Sequence, residues 1–380
     1  KLSSSDSIPT SPSITKPQRH FEPILYTGDA QNNRKITGLE FKPDLVWLKA
    51  RAQSGGGEIS ADHGWYDSIR GVTKRLKSNS TDAEGTVPIK SFDDGGFTFD
   101  TEMYYNANAS TFVAWCWKAG GSSSTYNIDG TGHATASAAG LDGGTIDPTG
   151  ASINTVDGFS IITYTGNGTA GATIAHGLGK KPEWIIIKRR DATDNWMVYH
   201  HGIDTSSPED YYLELNAIGQ RIDNNIMLND TAPTSTLITL ENDNSVNGNT
   251  ATYIMYSWTG IPGYSKFDKY TGNGSTNGTF VHLGFRPAWL MIKRTSSSDS
   301  WLITDNKRDV GNPATQTQAP QSNREDNVNT GDNYSIDYLS NGFKCRGSGG
   351  DLNGSGETYI YMAFADQPGI TPFDTFANSR

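Results

Sequence analysis

Apolar residues in this chain come in short runs separated by Gly, Asn, Asp, Ser and Thr. Some runs are continuous: Asp44–Lys49 (DLVWLK), Thr111–Trp117 (TFVAWCW), Trp184–Lys188 (WIIIK), Thr252–Trp258 (TYIMYSW), Trp289–Lys293 (WLMIK) and Thr358–Ala365 (TYIYMAFA). Others alternate, as in GFSIITYTG from Gly158 and in Asn333–Leu339, and Asn195–Tyr199 and Ser300–Thr304 are further short strand candidates that follow the continuous runs. Period-2 alternation predicts half-buried strands, and short continuous runs predict strands buried on both faces. The nearest approach to helical periodicity is at Glu209–Leu215 and Ala217–Met227, where alternating Tyr and Leu still favour strand. Turns are expected at Asp94-Gly95-Gly96-Phe97 and Asn341-Gly342-Phe343. Without amphipathic helices between the strands a parallel sheet has no crossovers. The expected fold is therefore all-β, built of antiparallel β-sandwich modules of jelly-roll-like type.

The runs recur in a fixed plan. Three segments each lead from a Tyr-Thr-Gly turn through a polar stretch to a Pro, with a Lys six residues later: Tyr26–Lys49, Tyr164–Lys188 and Tyr270–Lys293. The prolines are Pro43, Pro182 and Pro287. Trp196 and Trp301 each stand fourteen residues after their Pro, whereas Trp65 lies twenty-two after Pro43, so the first copy carries an insertion. The copies are spaced like whole small domains rather than solenoid units. The expected organisation is a leader or arm over 1–20, module 1 over 21–119, a Gly/Ser/Thr/Ala-rich linker or arm over 120–157, module 2 over 158–261, module 3 over 262–368 and a tail over 369–380. The segment 120–157 reads either as a linker with a short hairpin or as an arm exchanged with a neighbouring subunit.

Composition narrows the class. The chain has 380 residues, of which 34% are hydrophobic, with 9 Trp, 17 Tyr and 14 Phe recurring inside the β-patterned runs, so it is not disordered. A net charge of −10 opposes a nucleic-acid partner held by phosphate contacts. No run of about eighteen apolar residues exists to insert in a membrane. Cys116 and Cys345 fall at different places in different copies, which predicts two free thiols.

Chemistry-bearing residues are plentiful but form no catalytic pattern, and no enzyme activity is expected. The Tyr-Thr-Gly-Asn-Gly turns lack the strand-to-helix setting and the Gly-Lys-Ser/Thr of a nucleotide loop, so they read as turns. Lys49, Lys188 and Lys293 read as strand-end caps with heads in water. His63, His133, His176, His200, His201 and His282 show no ligand spacing. His176 and His282 share a position and read as structural. No cofactor is expected. Calcium is open at Glu241–Asn244 and Asp93–Asp94, although neither matches an EF-hand. Trp65, Tyr66, Trp196, Tyr199 and Trp301 are the candidate ligand-binding aromatics if they lie at the surface, where rings stack on sugars or anchor partners. For Trp196 and Trp301, equivalent in register, core packing is the favoured reading, and Trp65 is the better surface candidate.

At YTGNG, HGLGKKPEWIIIKRR, the Gly-Phe turn and TYIYMAFA the chain resembles the tandem modules of tail and other virion proteins of marine phages, over roughly Phe21 to Pro368. Copy one departs from the pattern by lacking the His-Gly before its Pro. The resemblance implies a virion structural protein, such as a phage tail fibre, spike or other particle-surface component, serving assembly and host-surface attachment. It also implies a virion-surface or extracellular setting, with other virion proteins, further copies of the chain (a homotrimer preferred) and a host glycan as partners. It carries no catalytic residue. Two alternatives stay open: a secreted carbohydrate-binding module or glycan-active enzyme, and a bacterial extracellular filament or surface subunit assembling through its N-terminal arm.

Overall fold

The computed structural model describes residues 13–52, 62–87, 89–99, 104–308, 310–312 and 334–366. The Gly-rich loop Ser54–Gly57, the tail and the first part of the leader lie outside them. Strands dominate; the one α-helix among the described residues is the single turn Gly350–Asn353. The two helix candidates are instead a 3-10 turn (Pro208–Asp210) and two short strands, Tyr211–Glu214 and Ile222–Asp223.

Each repeat is a two-sheet module with the same nested pairing. The opening strand pairs with the closing strand: Phe21–Thr27 with Thr111–Trp117, Phe159–Thr165 with Thr252–Trp258, and Ser265–Thr271 with Thr358–Ala365. The closing strand also pairs with the central strand that follows the Pro: Leu45–Ala52, Trp184–Arg189 and Pro287–Arg294. A hairpin partner completes the sheet: Gly64–Asp67, Trp196–His200 and Leu302–Asp305. The second sheet joins the second strand to the penultimate one, as Lys35–Thr37 with Gly96–Thr98, Ala172–Ala175 with Leu237–Leu240, and Phe280–His282 with Gly342–Cys345. First-with-last and second-with-penultimate pairing is jelly-roll-like; the direct hairpin after the central strand departs from it. All these pairs are antiparallel.

The segment 120–157 is folded into module 2. Tyr126–Ile128 and Thr131–His133 form the expected hairpin, and Pro148–Asn154 pairs with the opening strand Phe159–Thr165. This extends the module 2 sheet to nine strands.

Central strands are apolar on both faces because two different cores meet them. In module 1, Val46 and Leu48 face a peripheral core beneath the small sheet, together with Tyr66, Phe97 and Phe112. Leu45 and Trp47 face the other way, into a core shared by all three modules. Modules 2 and 3 repeat this, with Ile185/Ile187 and Leu290/Ile292 peripheral and Trp184/Ile186 and Trp289/Met291 central. All nine tryptophans belong to the central core, and Ile14 of the leader joins them.

The modules close a ring. Trp65 of module 1 packs on Trp196 and Tyr256 of module 2. Trp184 of module 2 packs on Trp301 and Phe267 of module 3. Phe21 and Trp117 of module 1 pack on Phe364 and Trp289 of module 3. One chain therefore forms a pseudo-threefold trimer of modules about an aromatic centre.

Candidate functional site

The register that builds the ring also sets what the candidate residues do. Trp65, Trp196 and Trp301 are buried in the central core, and Tyr66 and Tyr199 in the peripheral ones, all at most 1% exposed. The surface-aromatic reading is thus corrected for Trp65, Tyr66 and Tyr199, while Trp196 and Trp301 pack in the core as their register favoured; Trp65, the best surface candidate, is walled in by Trp47, Trp196 and Tyr256. Trp196 and Trp301 occupy one register position, opposite Lys188 and beside Leu302. Each indole N–H donates to a carbonyl of the preceding module, Lys77 O at 2.8 Å and Glu214 O at 3.0 Å. They are joints between modules.

The three lysines are corrected as well: all are fully buried. Lys188 Nζ donates to Thr81 O of module 1 at 3.2 Å and to Asp194 O at 3.0 Å. Lys293 Nζ donates to Ile218 O of module 2 at 3.3 Å and to Arg294 O at 2.9 Å. Burial lowers both ammoniums to about 8. A long side chain from one strand end reaches over the seam and satisfies a loop carbonyl of the module before it.

Polar groups at the other end of the same hairpin strand, opposite Leu45, Trp184 and Trp289, complete the joints. Asp67 holds Arg70 at 2.5 Å and accepts the Tyr256 hydroxyl at 2.8 Å. Burial works against the Arg70 charge, but Asp67, Tyr256 and Glu84 outweigh it and its pKa is raised. In module 3, Asp305 holds Arg308 at 2.5 Å and accepts Trp115 Nε1 at 3.0 Å. Module 2 has His200 at this place. Its Nδ1 accepts Gly202 N–H at 2.8 Å and its Nε2 donates to Tyr361 O at 3.4 Å, and burial drives its pKa well below the usual value.

The Tyr-Thr-Gly turns are held by an asparagine that the repeat pattern did not single out. Asn247 Oδ1 accepts Asn167 N–H at 2.9 Å, and Asn353 Oδ1 accepts Asn273 N–H at 3.0 Å. Asn106 Oδ1 does the same for Asp29 N–H at 3.2 Å. Each Asn stands five residues before the first Thr of its closing strand, a spacing readable in the sequence. The turn glycine is required because the Asn loop occupies its side-chain space: a Cβ on Gly166 would lie 2.4 Å from Gly248 O.

His176 is buried, accepting Leu178 N–H at 3.2 Å, and burial lowers it to about 4. His282, its counterpart, is exposed, with its ring 6.5 Å from that of Phe280 and its carbonyl engaged by Lys266 Nζ at 2.8 Å. Cys116 and Cys345 are buried free thiols. Asp93 accepts Thr98 Oγ1 at 2.5 Å and Asp243 accepts Ser245 N–H at 2.8 Å. Among the described residues no group of three or more His, Cys, Asp or Glu side chains is disposed to hold a metal ion.

A cleft of about 400 Å³ breaks the pseudo-symmetry. It opens where the leader (His20), the Pro43 loop (Glu40–Asp44), the connector Lys118–Gly121 and two turns of the inserted segment (Asp129-Gly130 and Asn154–Asp157) converge. The Asp44 carboxylate takes Ala119 N–H at 2.8 Å, Gly121 N–H at 3.2 Å and Ser68 Oγ at 2.8 Å. Asp157 is 2% exposed; its Oδ1 lies 2.6 Å from His20 Nδ1 and its Oδ2 has no hydrogen-bond donor. Burial raises the Asp157 pKa, and His20 and then Lys118 oppose that rise.

Comparison with curated proteins and with solved structures finds no match. One family model spans residues 16–368, all three modules and the inserted segment together, and by that match the chain belongs to the family described as a domain of unknown function, DUF7483.

Proposed function

We propose that this protein is a virion structural component, displayed at the particle surface as part of a tail fibre, spike or collar, and serving assembly and host-surface attachment. The observation that carries this reading is the closed ring. Three modules, each too thin to bury both faces of its main sheet alone, share one tryptophan core, and charged side chains join the seams. The buried titratable groups are engaged structurally: Lys188 and Lys293 by carbonyls, the seam carboxylates by arginines, His176 and His200 by backbone groups. Such a molecule suits mechanical display. The threefold that a homotrimer would supply is already present within one chain, so contacts to other virion proteins or to further copies use its outer faces.

Incorporation is the test. Mass spectrometry of gradient-purified particles from the source should find this chain at a fixed ratio to the major structural proteins, and labelled antibody should decorate intact particles. Recovery only from the secreted or envelope fractions would replace this reading with a free lectin or a cell-surface subunit.

A further inference from the structure

We infer that the cleft between module 1 and the inserted segment binds a neutral, hydroxyl-rich ligand, a saccharide ring being the natural unit. Its volume of about 400 Å³ lies within the range of small-molecule sites, roughly 300–1,000 Å³. Asp157 is the built feature. A buried carboxylate oxygen without a donor is costly, and a ligand hydroxyl aimed at Oδ2 would remove that cost. His20, which touches Oδ1, is held from behind by the Tyr264 ring at 5.8 Å, so the pair is positioned before any ligand arrives.

The surrounding charges select the class. Lys42 and Lys118 line the cleft and repel a cationic guest, while Glu40, Asp44, Asp129 and Asp157 repel an anionic one. Much of this charge is already engaged: Glu40 by Arg19 at 2.8 Å, and Asp129 by Thr155 N–H at 2.7 Å and its hydroxyl at 2.6 Å. A neutral polyol can donate to the carboxylate and accept from the ammoniums at once, and Val156, 52% exposed at the cleft, offers an apolar contact for a C–H face. Because the inserted segment occurs once, one site per chain is expected. The inference stands on the cleft alone and holds for a particle protein or a lectin; particle fractionation and sugar binding therefore fail independently.

The test titrates methyl glucoside, methyl galactoside and N-acetylglucosamine separately into the full chain, followed by calorimetry or protein-observed NMR, with methylamine and inorganic phosphate as charged controls. Saturable one-to-one binding of a sugar is expected. Asp157→Asn should weaken it about tenfold or more. Lys42→Gln, at an exposed position that leaves the core untouched, should weaken it several-fold. Thermal unfolding of each variant reports whether the fold survives, and if Asp157→Asn unfolds, Lys42→Gln decides. The inference is overturned if no sugar saturates, if the charged controls bind instead, or if Lys42→Gln and a folded Asp157→Asn both bind like the parent.

Discussion

Tyr256 of module 2 donates its hydroxyl to Asp67 of module 1 at 2.8 Å, across 189 residues of chain. Turned by one module, the same place is filled by Trp115 donating to Asp305. A third turn puts Met362 at the position of Tyr256 and Trp115, and His200 reaches instead the carbonyl of its neighbour Tyr361. Two seams thus carry a buried ion pair and one carries a neutral imidazole.

Removing the Tyr256 hydroxyl leaves Asp67 its bonds to Arg70, so Tyr256→Phe should cost about 0.5–1.5 kcal/mol. Asp67→Ala leaves the fully buried Arg70 with Glu84, at 3.2 Å, as its remaining carboxylate partner, and should cost more, up to about 3–5 kcal/mol. Urea unfolding of the two variants against the parent measures both. Equal losses would mean that the Arg70 charge finds water once its partner is gone.

A shared core predicts a shared transition. The Trp184 and Trp258 faces of module 2 are covered by module 3 residues and by the opening strand, so modules separated at the seams expose large apolar faces. Thermal unfolding followed by tryptophan fluorescence and by far-UV circular dichroism should coincide in one cooperative step. An excised 158–261 fragment should be insoluble or molten. Two resolved transitions would mean that the modules fold on their own.

The strands, the repeat and the two-sided burial of the central strands were legible in the sequence, since WIIIK and WLMIK have no polar face to offer water. What covers the second face was not. Period-2 alternation shows that Trp184 and Ile185 point oppositely, but the partner of Trp184 is Trp301, more than a hundred residues away, and no local pattern encodes that pairing. The same gap hid what buries Trp65, Trp196, Trp301 and the heads of Lys188 and Lys293: such a residue looks exposed when the module is considered alone, and is buried once another module closes over it. Tyr66 and Tyr199 are buried by the peripheral cores of their own modules. The segment 120–157 reads in the sequence as a linker with a hairpin or an exchanged arm because its small residues hide a further strand, Pro148–Asn154, whose partner is the module edge. The cleft arises from that same docking.

The Asn clasp offers a local test. Asn247→Ala and Asn353→Ala each leave turn amides without their acceptor and should destabilise by about 1–3 kcal/mol. Gly166→Ala forces a methyl against Gly248 O and should cost about 1–3 kcal/mol by overpacking. Chemical denaturation of the three variants reads these losses, and an unchanged midpoint in Gly166→Ala would show that the loop yields freely.

Acid should loosen module 2 first. Burial holds His176 at about 4 and His200 well below its ordinary value, so both are neutral in the folded chain near neutrality. The unfolded chain titrates them near pH 6.5. Between that value and about 4 the unfolded state therefore binds more protons, and stability present above pH 6.5 is lost as pH falls, by about 1.4 kcal/mol per pH unit for each histidine still neutral in the fold. His200 sits on the seam between modules 2 and 3, where the other seams have an aspartate–arginine pair, so its protonation strains that joint in particular. Urea midpoints measured from pH 7.5 down to pH 4.5 should fall steadily in the parent. They should fall less steeply in His176→Gln and His200→Gln, each flattening its own share of the slope. A parent slope that neither substitution changes would assign the acid sensitivity to other groups.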